Sequence, residues 1–407
     1  MTDFQESYPK LRLIDTTPIT YEGSTYLLLR DPLGLSDNQL LVPQPMIPLV
    51  ALCDGTRSPS TLRAALAIRY GLFLTPARIE EFLRVLDDAL LLENDRSWQA
   101  RLAAQQQFRQ AAFRPPASAG ASYPEDPQEL TQYLQGFFEQ INSGKPAGRN
   151  GNGLPRGIIS PHIDYERGGP VYAQVWSEAA EAVKQADLAI IFGTDHFSEG
   201  FSISLTRQNY ATPFGVLPTD TTIIDALAAV IGEEAAFAGE LHHRREHSIE
   251  LAAVWMHYVR NKRPIHMVPI LTGSLTYPGQ EGRAQEMETV LDVLRPILQN
   301  RKTVVIAAGD LAHVGPAFDT EPVDAGKLIL LKQSDDELID AMCAGSAENF
   351  FGAIQRVQDQ NNVCGVSPIY LTLRLLTPRK GASHGYAVCP ADQTNTSVVT
   401  ICGVTLE

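Results

Sequence analysis

Short apolar runs alternate with helical patterns from Gly157 to the C-terminus. The runs are GIIS, LAIIFGTD, FSISLT, IHMVPIL, TVVIAAGD and SVVTICGVTL. Between them, apolar residues recur at helical spacing, for example over 221–231 and 324–343. Short β-branched runs indicate buried strands, and their alternation with helices is typical of an α/β domain. We therefore predict a C-terminal sheet with helices on both of its faces.

A smaller unit precedes this region. Tyr26–Arg30 reads as a short strand, and helices are predicted to begin at Ser58-Pro59 and at Thr75-Pro76. A capping residue followed by proline is a typical helix start, because proline fits the first helical turn. Apolar residues continue at helical spacing after both starts.

The order of these elements resembles the PqqD-like winged-helix fold. The resemblance rests on DGTRS, the Tyr70-Gly71 break and the terminal leucines at 90–92. It implies a small winged-helix α+β domain that recognises a peptide or docks a partner, and the alternative is a generic small helical domain. A DNA-binding role is disfavoured, because acidic residues balance the arginines of the second candidate recognition helix. The domains are then 1–100, a polar linker over 101–111, and the α/β domain over 112–407.

Composition narrows the class of protein. The chain of 407 residues is 44% hydrophobic and 20% charged, which is typical of a globular protein. Its net charge of −14 argues against a nucleic-acid surface. No apolar run is long enough to cross a bilayer, and MTDFQESYPK lacks the layout of a signal peptide. Five cysteines without disulfide-framework spacing favour reduced thiols and a cytoplasmic location.

Three of the apolar runs lead directly into histidine. GIIS is followed by His162, AIIFGT by Asp195 and His196, and VVIAAG by Asp310 and His313. In open α/β sheets, ligands bind beyond the carboxyl ends of the strands. The chain has only nine histidines, so three at equivalent positions favour one shared pocket.

Two further segments carry residues of the same chemistry. EHSIE begins a helix in which His247 and Glu250 lie three apart and share a face, with Glu246 before them. The alternative is a helix start with favourable acidic residues. VCGVSPI places Cys364 before an apolar helix, where a thiolate is favoured. The alternative for Cys364 is a small buried core residue.

The remaining histidines are not assigned to the pocket. His242 and His243 are assigned to a loop, and His384 to a loop rich in glycine and serine. His257 lies in a predicted helix and His266 at the start of a predicted strand, without a pattern that favours a functional role.

Seven motifs together resemble the MEMO family, the B component of AmmeMemoRadiSam systems. They are PPASAGASYP, ISPHIDY, FGTDH, EHSIE, MVPILTG, AGDLAHVG and CGVSPI, in the order of that family. The resemblance covers about residue 112 to the C-terminus. It implies a fold like that of class III extradiol ring-cleaving dioxygenases, and a metal site of two histidines and a cysteine.

Carried over by motif, the implied metal ligands are His162, His196 and Cys364. Asp310 and His313 would line the same pocket, His313 as an acid or base that Asp310 orients. His247 would be a second proton donor or a support for the ligands, together with Glu246 or Glu250.

This chain departs from the usual family motifs by adding acids. ISPHIDY has Asp164 where the family has PHAGY, and FGTDHF has Asp195 and a phenylalanine where the family has GPSHH. Asp164, Asp195, Glu246 and Glu250 are therefore predicted as further pocket residues.

The resemblance implies a metal-dependent enzyme with Fe(II) favoured, and with Cu or Zn as alternatives. The expected chemistry is a redox or dioxygenase-type step on a small molecule or modified peptide. The alternatives are a non-catalytic metal- or peptide-binding adaptor, and a zinc hydrolase with the same ligands. By family analogy the partners are radical SAM and AMMECR1-like proteins, with no nucleic acid and no membrane.

Overall fold

Two units make up the chain, Met1–Gln110 and Ala111–Glu407. The computed structural model describes residues 8–142, 153–198, 200–276, 284–378 and 380–407. Across these ranges, every helix is too short or too polar to cross a membrane.

Among its described residues, the first unit combines a small sheet with four α-helices. Its strands are β1 (Asp15–Tyr21), β2 (Ser24–Arg30) and β3 (Leu40–Pro43), and they form an antiparallel sheet in that order. Its helices are α1 (Ile47–Leu52), α2 (Pro59–Tyr70), α3 (Pro76–Asp88) and α4 (Asp95–Gln110).

Both predicted helix starts are confirmed in this unit. The Ser58 side chain accepts from the Thr61 amide, and the Thr75 side chain accepts from the Arg78 amide. Each cap satisfies one of the amide groups that the first turn of a helix leaves free. Helix α4 occupies most of the stretch predicted as a linker, and it buries Phe108.

The second unit has ten strands and nine α-helices among its described residues. The strands are β4 (Gly157–Ser160), β5 (Leu188–Thr194), β6 (Ile203–Leu205), β7 (Tyr210–Thr212), β8 (Gly215–Leu217), β9 (His266–Thr272), β10 (Thr303–Ala308), β11 (His313–Val314), β12 (Gly381–Pro390) and β13 (Val398–Leu406). The helices are α5 (Pro127–Asn142), α6 (Tyr165–Gln185), α7 (Thr221–Ile231), α8 (Glu233–Ala236), α9 (Ser248–Val259), α10 (Ala284–Asn300), α11 (Ala325–Cys343), α12 (Ala347–Arg356) and α13 (Val366–Leu376).

Eight of these strands form one mixed sheet. The order is β11-β13-β4-β10-β5-β9-β6, and β12 pairs with β13. The four central strands, β4, β10, β5 and β9, run parallel, and β13 and β6 flank them antiparallel. The carboxyl ends of β4, β10 and β5 therefore lie side by side at one edge of the sheet. The mixed α/β fold expected from the sequence is confirmed.

Side chains of the central strand β5 alternate between two apolar clusters. Leu188, Ile190 and Phe192 pack with α7, α10 and α13, whereas Ala189 and Ile191 pack with α6 and α9. Successive side chains of a strand point to opposite faces, so both faces of the sheet are covered. This explains why the strand sequences are apolar throughout rather than alternating.

Two sequence assignments for histidines were wrong. His384 lies in strand β12, where its Nε2 is 2.7 Å from the Thr405 hydroxyl, and not in a loop. His242 and His243 lie in a short 3-10 helix, Glu240–Arg244, and His243 is fully buried. Glycine and serine around His384 suggested a loop, but pairing with the long apolar strand β13 overrides that local preference.

Candidate metal centre

His162, His196 and Cys364 converge beyond the carboxyl ends of the central strands. One potential ligand atom from each lies within 4.8 Å of the other two. The Cys364 sulfur is 3.3 Å from His162 Nε2, and the rings of His162 and His196 have centroids 5.1 Å apart. The three residues that the sequence singled out as ligands are therefore neighbours.

The fold delivers these side chains from three directions. His162 follows β4 and His196 follows β5, so the parallel sheet brings them to one edge. Cys364 reaches the site because Gly309 and Gly365 pack closely. A Cβ on Gly309 would lie only 2.7 Å from the Gly365 Cα. The absence of side chains at both positions lets the turn before α13 approach the end of β10.

Glu246 holds His196 in place. Its two carboxylate oxygens are 3.0 and 3.1 Å from His196 Nδ1, and one of them accepts the His196 backbone amide at 3.0 Å. A carboxylate only accepts hydrogen bonds, so Nδ1 carries a proton in this pair and Nε2 is the nitrogen left for a metal.

The Glu246 carboxylate is itself rigidly held. It also accepts the backbone amides of His247 and Ser248, at 2.8 and 2.9 Å, where helix α9 begins. Burial opposes charge on both partners, but the attraction between Glu246 and the neighbouring imidazoles outweighs it. The pKa of Glu246 is therefore held well below its ordinary value, and the pKa of His196 well above.

His162 and Cys364 favour their neutral forms. Burial lowers the pKa of His162 well below its usual range, and burial raises the pKa of the Cys364 thiol against the pull of His196. The Nδ1 atom of His162 is buried and has no hydrogen-bond partner in the described part of the chain. A neutral imidazole can bind a metal directly, and a thiol can bind it after losing its proton.

Asp310 and His313 lie close to His162. The Asp310 carboxylate accepts the backbone amide of His162 at 2.8 Å, and burial raises the pKa of Asp310 despite the nearby His313. Burial lowers the pKa of His313 to about 4, against the opposing pull of Asp310. The ring of His313 lies edge-on to Phe318, with centroids 5.1 Å apart. His313 is therefore a neutral imidazole near neutral pH.

His247 joins the cluster as a third imidazole. Its ring stacks on that of His196, with centroids 5.0 Å apart and an interplanar angle of 12°. Its centroid is 5.4 Å from that of His162. Ligand atoms of His196, Glu246 and His247 also lie within 4.8 Å of one another, which makes them a second set of potential ligands.

Two of the predicted pocket acids have partners of their own. Asp164 caps helix α6 and pairs with Arg167. Asp195 is buried, and its oxygens lie 2.8 and 3.0 Å from His242 Nδ1. The sequence predicts a loop at His242, and no local signal in it points to the contact with Asp195.

Glu250 occupies a different environment from the imidazole cluster. It forms a fully buried ion pair with Arg114 and accepts the Tyr123 hydroxyl at 2.5 Å. Sequence reasoning did not single out Arg114 or Tyr123. The available signal was the motif PPASAGASYP, which follows Arg114 and ends one residue after Tyr123.

Together the fold and the cluster define an α/β protein with a candidate metal centre at the carboxyl edge of its sheet. Residues 114–404 match the model of a protein family described as Memo-like protein. This span is more than half of the chain, and the chain therefore belongs to the Memo-like protein family.

The chain is also similar to proteins named as MEMO1 family proteins. A MEMO1 family protein of Aquifex aeolicus (strain VF5) is 24% identical over 370 residues, 90% of this chain and 91% of the relative. A MEMO1 family protein of Methanosarcina barkeri is 29% identical over 63% of this chain and 84% of the relative. A MEMO1 family protein of Methanopyrus kandleri is 28% identical over 67% of this chain and 89% of the relative. Because Ala111–Glu407 is less than 90% of the chain, the Aquifex alignment also enters the first unit.

Proposed function

We propose that this protein is a metalloprotein whose metal ligands are His162, His196 and Cys364. The observation that carries the proposal is the convergence of one ligand atom from each residue within 4.8 Å. Membership of the Memo-like family agrees with it, since the resemblance of the motifs implies the same three residues.

The donor set fits a first-row transition metal. Two imidazoles with one anionic ligand leave coordination positions open in non-haem Fe(II) sites, and a thiolate also suits copper and zinc. The nitrogen of His196 that faces away from Glu246 and the Nε2 of His162 beside Cys364 are the atoms that would bind. Fe(II) is the favoured metal, with Cu or Zn as the alternatives.

A bound Fe(II) would supply redox chemistry and open positions for a substrate. The protein groups around it have separate tasks. Glu246 fixes the orientation of His196, and Asp310 fixes the backbone of His162. His313 can accept a proton at neutral pH, because burial lowers its pKa to about 4 and leaves the ring neutral. His247 lines the same cluster.

The resemblance to the MEMO family, which implies a fold like that of class III extradiol dioxygenases, supports a reaction class. We propose a redox or dioxygenase-type step on a small molecule or modified peptide, with radical SAM and AMMECR1-like proteins as partners. A cytoplasmic location belongs to the same proposal, because a reducing compartment keeps Cys364 available as a thiol.

Elemental analysis tests the metal site. Protein purified anaerobically without chelator is compared with His196→Ala, His162→Ala and Cys364→Ala. The control is His266→Ala, because His266 is exposed at the start of β9, outside the cluster. Near-stoichiometric iron in wild type and control, lost in the three variants, supports the proposal. Equal metal in wild type and the three variants overturns it, and bound zinc instead of iron would favour the hydrolase alternative.

A second proposal concerns the first unit. We propose that it is a PqqD-like winged-helix module that docks a peptide, since β1 and β3 each leave one edge of the small sheet unpaired within the described residues. An extended peptide can add a strand at such an edge.

Hydrogen exchange of the full chain tests this docking role. The probes are peptides translated from neighbouring open reading frames, with scrambled peptides as controls. Protection of the amides of 15–21 or 40–43 by a native peptide supports the proposal. Equal exchange with native and scrambled peptides at saturating concentration overturns it.

A further inference from the structure

Arg114 is buried at the start of the second unit and binds the segment that carries Glu246. Its Nε donates to the His243 carbonyl and its Nη2 to the Glu246 carbonyl, both at 2.7 Å. Its Nη1 pairs with the Glu250 carboxylate, and neither side chain of this ion pair is exposed to solvent. One guanidinium group therefore binds two carbonyls of the turn before α9 and one carboxylate in the first turn of α9.

The partner carboxylate is fully occupied as well. Glu250 accepts the backbone amides of Ala117 and Ser118, each at 2.8 Å, and the hydroxyl of Tyr123. Burial beside this carboxylate raises the pKa of Tyr123, so its hydroxyl stays protonated and remains a donor. These contacts give a structural reason for the motif PPASAGASYP, which supplies three of the four donors.

We infer that Arg114 is a positioning residue, which holds Glu246 against His196 through the turn before α9. The backbone carbonyl and the side chain of Glu246 extend from the same Cα, so holding the carbonyl restrains the position from which the carboxylate reaches His196. The Glu246 carbonyl is fixed by Arg114, and the Glu246 side chain is fixed by the amides of His196, His247 and Ser248. The consequence for metal affinity rests on the proposed function.

The chain offers a matched control at the other end of the same helix. Arg260 follows α9 and is also nearly buried, and its guanidinium donates to the carbonyls of Val183 and Ala186. A variant at Arg260 removes a comparable set of buried hydrogen bonds at α9, and it leaves the contacts of the turn before α9 unchanged.

The test compares wild type, Arg114→Met/Glu250→Gln and Arg260→Met. The double variant removes both buried charges, because a single change would leave one charge buried and unpaired. Tyr123→Phe, which removes one donor to Glu250, is the milder variant if the double variant does not fold. Hydrogen exchange of the metal-free proteins is followed in peptides spanning 194–198 and 244–250, and Co(II) affinity is measured by titration.

We expect faster exchange in both peptides of the double variant and Co(II) binding weaker by about 10- to 100-fold, as for other groups that orient a metal ligand. Arg260→Met should match wild type in both readouts, even where its melting temperature falls. Unchanged exchange, or unchanged Co(II) affinity in the double variant, overturns the inference. A wild-type protein that binds no Co(II) overturns the proposed function instead, and the exchange data then decide the positioning role alone.

Discussion

The Cys364 sulfur lies 3.3 Å from His162 Nε2, although the two residues are 202 positions apart in the sequence. The contact exists because the turn before α13 packs on the end of β10, next to β4. A metal at this pocket would need both residues, and they come together only when the second unit folds. Binding energy for a metal there would also stabilise the folded chain.

The chemical role of Cys364 can be tested by exchanging its donor atom. Cys364→Asp should retain bound iron, because a carboxylate is the usual anionic ligand of non-haem Fe(II) sites. Cys364→Ala should weaken metal binding by more than about 100-fold, beyond the effect of losing an orienting group. With Co(II) as a probe, both variants should lose the sulfur-to-metal charge-transfer band. A band that persists in Cys364→Asp would show that the thiolate comes from another residue.

Glu246→Gln should lower metal affinity by about 10- to 100-fold, because an amide is a weaker acceptor for His196 Nδ1 than a carboxylate. The measurement is competition titration against a chromophoric chelator. Glu240→Gln is the control, since Glu240 is also a buried acid of this unit, and its side chain accepts the Thr206 hydroxyl. Equal affinities of Glu246→Gln and wild type would contradict the orienting role.

Gly365→Ala should loosen the pocket without changing a polar group. Its Cβ would meet the Asp310 carbonyl oxygen at 2.5 Å and the backbone of Gly309 at 3.0 Å. Forcing these segments apart should lower the free energy of unfolding by about 1–3 kcal/mol, measured in denaturant, and should weaken metal binding.

Gly352→Ala is the matched control for this glycine. It lies in helix α12, where a Cβ would meet nothing within 4 Å. It should raise the free energy of unfolding by about 0.5–1 kcal/mol, because alanine is the better helix former. If both glycine variants were stabilised, the close contact between Gly309 and Gly365 would not be a constraint.

Asp335 gives the stability of the protein a specific pH dependence. It is fully buried in α11 and accepts the Tyr386 hydroxyl at 2.9 Å, and burial raises its pKa from 3.8 to about 6. The folded state therefore binds the Asp335 proton more tightly than the unfolded state. Its contribution to stability is present below about pH 4 and is lost as pH rises through 6.

Asp335→Asn keeps an acceptor for Tyr386 but cannot ionise. Relative to wild type, its free energy of unfolding should rise between pH 4 and pH 7, by at most about 3 kcal/mol for a pKa raised from 3.8 to about 6. Denaturant unfolding of both proteins across this range measures the difference. A difference that stays constant with pH would mean that Asp335 does not titrate in the folded protein.

Local patterns in the sequence were sufficient to predict an element where its stabilising contacts lie within a few residues of each other in the chain. The caps at Ser58 and Thr75 depend on residues three positions away, and the apolar runs of β4, β5 and β10 are readable one strand at a time. Strand β1 was missed because its sequence, DTTPITY, contains proline and has no buried residue.

The sequence by itself determined the apolar strands β4, β5, β6, β9, β10 and β13 and the chemistry that lies at the ends of β4, β5 and β10. A buried parallel strand must be apolar, so a histidine just after it is visible as a break in pattern. Only the tertiary structure decided the partnerships: Arg114 with Glu250, 136 positions apart, and Asp195 with His242, 47 apart. Such pairs leave no periodic trace, because long-range contacts depend on how strands and turns pack and not on the spacing of residues along the chain.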